Sequence, residues 1–336
     1  MEVTRLIPSF GGPIVATFWI TDTVRFARLA AAAEDSLRVL DSLVNTRREH
    51  SDLFAINAAA GGEPVHVSPQ TLALLGLARR AWLLSRGLYD PTSVPFADAL
   101  NLREQVGRVP SSQELDSLRA LGDFGTVEIS QTARTVRLPR RGMKLELDAI
   151  ARGAALDLAR RVLRDPSIRA GLLRSGACTM VFGRPAKDQR WSVIVAPPRT
   201  GRPGIGAATL DSGVMAIASD SERTSPVADR LMRLVDRRTG QLPTGTASTV
   251  VIARTGAEAA ALSAAFYMLG PERAIMAADS LRVAAIAIRE PALNTPITRQ
   301  DVLVSAAADP LVELIPELKT KFRLVPKPPP PKPPAR

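Results

Sequence analysis

Catalytic chemistry has few places to start in this chain. Its 336 residues include two histidines, His50 and His66, and one cysteine, Cys178. A Ser-His-Asp triad is hard to build from that set, and a zinc site needs more nitrogen and sulfur ligands. There is no Gly-x-Ser-x-Gly elbow, no phosphate-binding loop ending in Gly-Lys-Ser/Thr, and no Gly-x-Gly-x-x-Gly between a strand and a helix. Carboxylates, arginines and backbone groups remain. They gather at "LMRLVDRRTGQLPTG", Leu231–Gly245. There an apolar run, Leu234–Val235, leads into Asp236, then Arg237 and Arg238, then a Thr239–Gly240 turn. An acid and two cations at the end of a strand that reads as buried need an explanation.

Composition narrows the classes. Hydrophobic residues make up 46%, enough for a large core, and the length allows one large domain or two ordinary ones. The formal charge is +11, and a basic surface draws anions. Aromatics are only 4%, too few for base-stacking platforms, so nucleic acid is not an expected partner. A single cysteine excludes an intrachain disulfide and suits a reducing compartment. No run approaches the roughly 18 apolar residues of a membrane span. The N-terminus, with its Pro-Gly-Gly interruption, is a poor signal peptide and reads as part of the fold, so a cytoplasmic location is expected. The tail "VPKPPPPKPPAR", Val325–Arg336, predicts an extended, solvated polyproline segment.

The elements that must position these residues follow from periodicity. "PIVATFWI", Pro13–Ile20, reads as a strand. Thr23 opens a helix with Leu29, Ala33, Leu37, Leu40 and Val44 on one face. "REHSDLFAINAAAGG" reads as a capped turn segment. Ser68 and Pro69 start a helix expected to run to about Arg86. His66 alternates with Val65 and Val67 and is expected to point outward. "TVEIS" and "TVRLP" form a hairpin. "LELDAIARGAALDLARRVL" enters a helix near Asp148, with Asp148 as its expected N-cap. "AATLDSGVMAIASD" reads as one strand-like run, and "GAEAAALSAAFYML" as a helix. Strands outnumber helices in the second half without regular alternation. The fold class is therefore α+β: one integrated domain over residues 1–320, with mixed or antiparallel sheets and a helical insertion.

Seven stretches, in order, resemble the FAD:protein FMN transferase family (the ApbE type), whose fold is related to the T-fold. "SDLFAIN…GLYDPTSVPF" resembles the family's Ser-Glu-Leu…Asn segment and its "GxFDPTVxPL" turn. "LELDAIARGAALDLA" resembles "DLGGIAKGYAVDxA", and "LLRSGACTMVFG" resembles "xLVNAGGDIxxxG". "WSVIVAPP" and "AIASDSERT" sit where "WxVxIxxP" and "ATSGDYER" are expected. "RLVDRRTGQLP" resembles "HIIDPRTGxP", and "GAEAAALSAAFYMLG" resembles "ADALSTALFVLG". The resemblance spans about residues 10–290. It implies that FAD is split at its pyrophosphate, FMN moves to a Ser or Thr hydroxyl of an acceptor flavoprotein, and AMP leaves. It also implies a divalent cation, usually magnesium, because attack at a phosphorus among anionic oxygens requires charge neutralisation and alignment.

Carried over by position, the resemblance implies FAD contacts at Thr17, Arg47, Leu88, Tyr89, Asp90, Glu146 and Arg152. It implies a backbone metal ligand at Ala149, and catalytic-segment positions at Asp236 and Arg233, the latter where the family has histidine. The two side-chain metal ligands fall at Ala260 and Ala264, which have no side-chain oxygen. Asp148 is an extra carboxylate beside Ala149. Arg47, Arg152, Arg174 and Arg233 stand where the family usually has other residues, and together could clamp a pyrophosphate without metal. Three states remain open: a transferase with rearranged ligands, a flavin binder that no longer turns over (a pseudoenzyme), or an accessory scaffold of the same fold.

Overall fold

The structure, a computed structural model, describes residues 1–9, 12–99, 111–186, 189–196, 204–219, 235–240, 243–291 and 295–318. The proline-rich tail and Arg233 lie outside these residues. In chain order the first half comprises β1 (Glu2–Ile7), β2 (Ile14–Ile20), α1 (Thr23–Val44), α2 (Asp52–Ala58), β3 (Val65–His66), α3 (Pro69–Leu84), α4 (Val94–Ala99), α5 (Ser112–Leu121), β4 (Glu128–Ser130), β5 (Thr135–Arg137) and α6 (Asp148–Val162). The second half comprises β6 (Ile168–Ser175), β7 (Cys178–Gly183), β8 (Trp191–Val195), β9 (Gly206–Leu210), β10 (Gly213–Ser219), β11 (Thr246–Ala253), α7 (Gly256–Leu269), α8 (Pro271–Leu281), β12 (Ala284–Arg289), β13 (Val302–Val304) and β14 (Val312–Leu314).

Eight strands form one sheet in the order β1-β2-β6-β7-β10-β11-β12-β13, and every neighbouring pair is antiparallel. Alternation along β2 sends Ile14, Ala16, Phe18 and Ile20 to a helical layer and Trp19 to the opposite face. The helical layer contains α1, whose buried stripe Phe26, Ala30, Ala33, Leu37, Leu40 and Val44 follows the 3.6 period. On the other face the small sheet β14-β9-β8 buries Trp191, Val193, Ala208 and Leu210 against Val181, Met215 and Val250. Trp19 and Trp191 meet edge-on, their ring centroids 5.3 Å apart.

Helix α7 is apolar on every side and lies inside the helical layer. It crosses α6 backbone to backbone: a Cβ on Gly153 would sit 2.0 Å from the Gly256 carbonyl oxygen. Asp157 of α6 ties the crossing by accepting from Gly256 N at 2.6 Å and Ala257 N at 3.0 Å. It thereby satisfies two donors that the start of α7 leaves open.

Several expectations need correction. The "SDLFAIN" turn segment is a helix, α2, capped by Ser51 accepting from Phe54 N. The run "AATLDSGVMAIASD" is two strands in different sheets, because Asp211 and Ser212 break it and β9 pairs with β8 while β10 pairs with β7. Asp148 is not the cap of α6: Leu147 holds that position without a side-chain bond, and Asp148 is an acid in the first turn. No described helix is long and apolar enough to cross a membrane.

Candidate functional site

The "YDPT" loop follows α3. Asp90 is buried and folds back on its own loop: its Oδ1 accepts from Thr92 N at 2.8 Å and from the Thr92 hydroxyl at 2.5 Å. Its Oδ2 accepts from Phe124 N at 3.2 Å. Arg237, from the distant "DRRTG" turn, reaches the same Oδ2 with Nε at 3.4 Å. That contact is an ion pair, not an aligned hydrogen bond. The Arg237 fork also donates Nη1 to Gly122 O at 2.8 Å and holds Nη2 3.7 Å from Asp123 Oδ1. Burial pushes the Asp90 carboxyl above the usual carboxylate range, against the pull of Thr92, Phe124 N and Arg237.

A second segment packs against this loop. Glu146 N donates to Pro91 O at 3.0 Å. Asn57 of α2 fixes the residue before it, donating to Leu145 O at 3.0 Å and accepting from Leu145 N at 2.7 Å. Glu146 and Asp148 therefore lie near the buried Tyr89. Its phenol is pushed up first by burial and then by the charges of Asp90, Glu146 and Asp148. Arg152 follows one turn after Asp148 on α6 and is 5% exposed.

The "DRRTG" turn is built by its acid. Asp236 O accepts from Thr239 N at 3.1 Å and Gly240 N at 2.7 Å, and Gly240 takes the left-handed conformation (φ +69°) that ends such a turn. The Asp236 carboxylate accepts from Arg238 N at 2.9 Å and pairs with the Arg238 guanidinium at 2.7 Å. Burial opposes its ionisation, but Arg238 and Arg237 outweigh burial, so its carboxyl stays below the usual range. Arg119 of α5 pins the turn from outside, donating Nη2 to Arg238 O at 2.7 Å.

The structure brings Tyr89, Asp90 and Glu146 together, with Leu88 in the core behind them. Two of the other expected positions lie on the opposite face of the large sheet. Thr17 lies on the sheet face away from the helices and shares a 3.0 Å hydroxyl contact with Thr4. Arg174 is exposed on that same face, paired in register with Val15. Arg47 is exposed in the turn after α1. Arg174 therefore does not face Arg152, and Arg233, a further member of the expected clamp, lies outside the described residues. Arg237 stands where the family's "DPRTG" has its proline, was given no site role from the sequence, and pairs with Asp90. The visible signal was the substitution of an arginine for proline inside an otherwise intact turn.

A divalent cation does not fit the described residues. Ala260 and Ala264 are 4% and 3% exposed within the apolar layer. The Ala260 carbonyl already accepts from the Ser263 hydroxyl at 3.0 Å, and Ser263 O accepts from Thr249 Oγ1 at 2.7 Å. The Ala149 carbonyl lies within the first turn of α6. Among the described residues no three His, Cys, Asp or Glu side chains gather in a way that could hold a metal. Magnesium needs hard oxygen ligands in near-octahedral array, and these positions offer methyl groups.

An α+β layered core with a carboxylate-and-backbone site beside the start of α6 defines a class in which motif order, not a triad or zinc site, carries the identity. A profile of the ApbE family matches residues 11–287, and the chain belongs to that family. Curated relatives named FAD:protein FMN transferase include that of Rhodobacter capsulatus, 28% identical over 256 residues, covering 72% of this chain and 48% of that protein. Another, from Escherichia coli (strain K12), is 24% identical over 275 residues and covers 78% of each. The chain thus spans about half the length of the Rhodobacter relative. Among solved structures, the flavin transferase ApbE from Vibrio cholerae superposes with a TM-score of 0.76 at 21% identity, covering 93% of this chain and 99% of that one. The Pseudomonas stutzeri flavinyl transferase ApbE superposes with a TM-score of 0.74 at 22% identity, covering 93% and 96%. These likenesses define the fold.

Proposed function

We propose that this chain binds FAD at the Tyr89–Asp90–Glu146 end of α6 and transfers FMN to a Ser or Thr hydroxyl of an acceptor flavoprotein, releasing AMP. The relatives named for this reaction support the reading. The observation that carries it is the Glu146 N to Pro91 O bond. It joins the "YDPT" loop to the residue at the family's FAD-contacting position, beside the start of α6.

In this reading the acceptor oxygen attacks the phosphorus of the FMN half. A new P–O bond forms, the P–O bond to AMP breaks, and the hydroxyl proton leaves to a base or water. The Glu146 carboxylate accepts from a ring N–H of FAD. Asp90 and Asp236 shape the loops and do not touch phosphorus, because Asp90 is turned into Thr92 and Phe124 and Asp236 into Arg238. Magnesium, when bound in the family, supplies charge neutralisation. Here that task falls to the N–H groups of the first turn of α6 and to Arg152.

One observation favours a second reading, a flavin binder without turnover: methyl groups fill both metal-ligand positions, Ala260 and Ala264. Two measurements divide the readings. FAD, with and without magnesium and an acceptor, is incubated with the protein and AMP is followed by chromatography. AMP above the buffer control supports the transferase, and its absence sinks it. Calorimetric titration with FAD then tests binding alone. No heat at sub-millimolar FAD would leave only a scaffold. If Arg152→Ala leaves FAD affinity unchanged, the cation role assigned to Arg152 is wrong.

A further inference from the structure

The opposite end of α6 holds a second concavity. Twelve residues separate Asp148 from Arg160, so the two ends lie about 18 Å apart along the helix. Around Arg160 the ends of β7 and β11 and the starts of β10 and β12 enclose a groove of about 870 Å³. That is within the size range of small-molecule sites. Its floor on the helical face of the sheet is apolar, with Met180 and Val214, and its wall carries Phe182, while Ile252 and Ala284 line it from the strand ends on the opposite face. Every one of these residues is on a regular strand.

Its charged rim is unbalanced. Asp211 is taken by Arg190 at 3.2 Å and by Arg184 at 2.9 Å. Arg160, Arg254 and Arg282 also line the groove, and among the described residues none of them forms an ion pair with a carboxylate. Among the described residues Glu258 is the only other acid lining it. Arg160 lies over the Phe182 ring, 3.8 Å from its centroid, which fixes the guanidinium plane. Burial and the neighbouring Arg164 depress its basicity, so an anion beside it would relieve both effects.

Arg282 enters the groove from the end of α8. It caps α8 in the left-handed conformation, φ +54°, a position where glycine or asparagine is favoured. Arg86 and Arg134 take the same conformation elsewhere, at φ +53° and +52°, so the groove rests on its lining and its charge rather than on this backbone.

We propose that this groove is a second ligand site, distinct from the Tyr89–Glu146 end, for a small phosphate monoester. Arg160, Arg254 and Arg282 hold the phosphate and the strand floor receives an apolar or aromatic body. Three guanidiniums around one dianion give charge-assisted, forked hydrogen bonds that single lysines would not. The floor adds selectivity for an ester over the free ion.

The test uses the full chain and two probes, phenyl phosphate and inorganic phosphate, in calorimetric titrations. Phenyl phosphate is expected to bind saturably, and inorganic phosphate about tenfold more weakly. The double variant Arg254→Gln, Arg282→Asn keeps side-chain size at one position and suits the left-handed backbone at the other. It is expected to lose phenyl phosphate affinity about tenfold or more while keeping wild-type FAD binding and thermal midpoint. No saturable phenyl phosphate binding by the wild type, or equal binding by the double variant, overturns the site. Equal affinity for the two probes overturns the role of the floor. Loss of FAD binding in the same variant would overturn the separation of the two sites. Absence of FAD binding in the wild type, by contrast, counts only against the flavin reading.

Discussion

The two ends of α6 treat charge in opposite ways. At the Asp148 end two arginines are spent on internal partners: Arg237 on Asp90 and Gly122, Arg238 on Asp236. At the Arg160 end three arginines line a groove without a carboxylate partner among the described residues. One composition, rich in arginine, has thus been used for two purposes. Arg237, where the family motif has proline, braces a loop. Where arginine lines an open concavity, its charge stays available. A net charge of +11 cannot by itself tell these apart.

Both ends depend on the α6–α7 crossing, so the largest expected effect comes from disturbing it. Gly153→Ala places a methyl group 2.0 Å from the Gly256 carbonyl oxygen, and backbone cannot yield as a side chain can. The helices must separate, at a cost of about 4 kcal/mol or more, seen as a large drop in the denaturant midpoint or as failure to accumulate folded protein. Asp157→Ala acts at the same place without bulk. It leaves Gly256 N and Ala257 N without their acceptor, with an expected loss of about 3 kcal/mol. If Asp157→Ala cost nothing by chemical denaturation, the tie from α6 to α7 would be decorative.

The quiet end can also be given back a metal site. Ala260→Asp with Ala264→Thr restores side-chain oxygens at the two family positions on α7. In chelator the double variant should lose about 3 kcal/mol, because a carboxylate enters an apolar layer. Magnesium should then raise its thermal midpoint and make its FAD affinity magnesium-dependent, while the wild type responds to neither. A variant indifferent to magnesium would show that more than two oxygens is missing.

Arg237→Ala tests whether the paired end is held by its cation. Arg237 is 27% exposed, so the full cost of breaking a buried pair does not apply, and about 2 kcal/mol is expected. The sign with pH is specific. Burial already holds the Asp90 pKa above the usual carboxylate value, and Arg237 pulls it down. Without Arg237 that pKa rises further. The deficit of the variant is therefore fully present above the Asp90 titration and shrinks as acid protonates the carboxyl. A deficit independent of pH would mean that Arg237 acts through Gly122 and packing alone.

How much of this could be read in advance differs between the two ends for a physical reason. Helix starts were legible because Ser68 and Pro69 announce one locally, and the hairpin of β4 and β5 followed from its alternation. The order of motifs was legible because loops such as "YDPT" and "DRRTG" are stabilised by their own side chains. The break between β9 and β10 was not, since partner choice between two sheets is a tertiary matter. Short strands β13 and β14, which close the large sheet and the small one, carry too little periodicity to see. The Arg237–Asp90 pair and the arginine groove join residues far apart in sequence, and nothing local to either partner encodes them. For the same reason the place of Arg174 was not legible: its motif position says nothing of the sheet face, and the sheet sends it opposite the Tyr89 cluster.

The smallest expected effect isolates burial at the paired end. Tyr89 is buried with the charges of Asp90, Glu146 and Asp148 nearby, and burial first and those charges second raise its phenol well above its ordinary value of 10.0. A raised folded pKa means that the unfolded chain ionises first as pH rises. The stability linked to Tyr89 is therefore intact below pH 10 and lost as pH climbs from there toward the folded value. At pH 11 the unfolded state gains about 1.4 kcal/mol from this one group. Tyr89→Phe removes that term, so the variant should lose less stability than the wild type between pH 8 and pH 11, by about that amount. Tyr267, the only other tyrosine, is present in both proteins and cancels in the difference. If the two proteins lose stability in parallel, Tyr89 opens to solvent at alkaline pH, and the closed character assigned to this end of α6 would have to be given up.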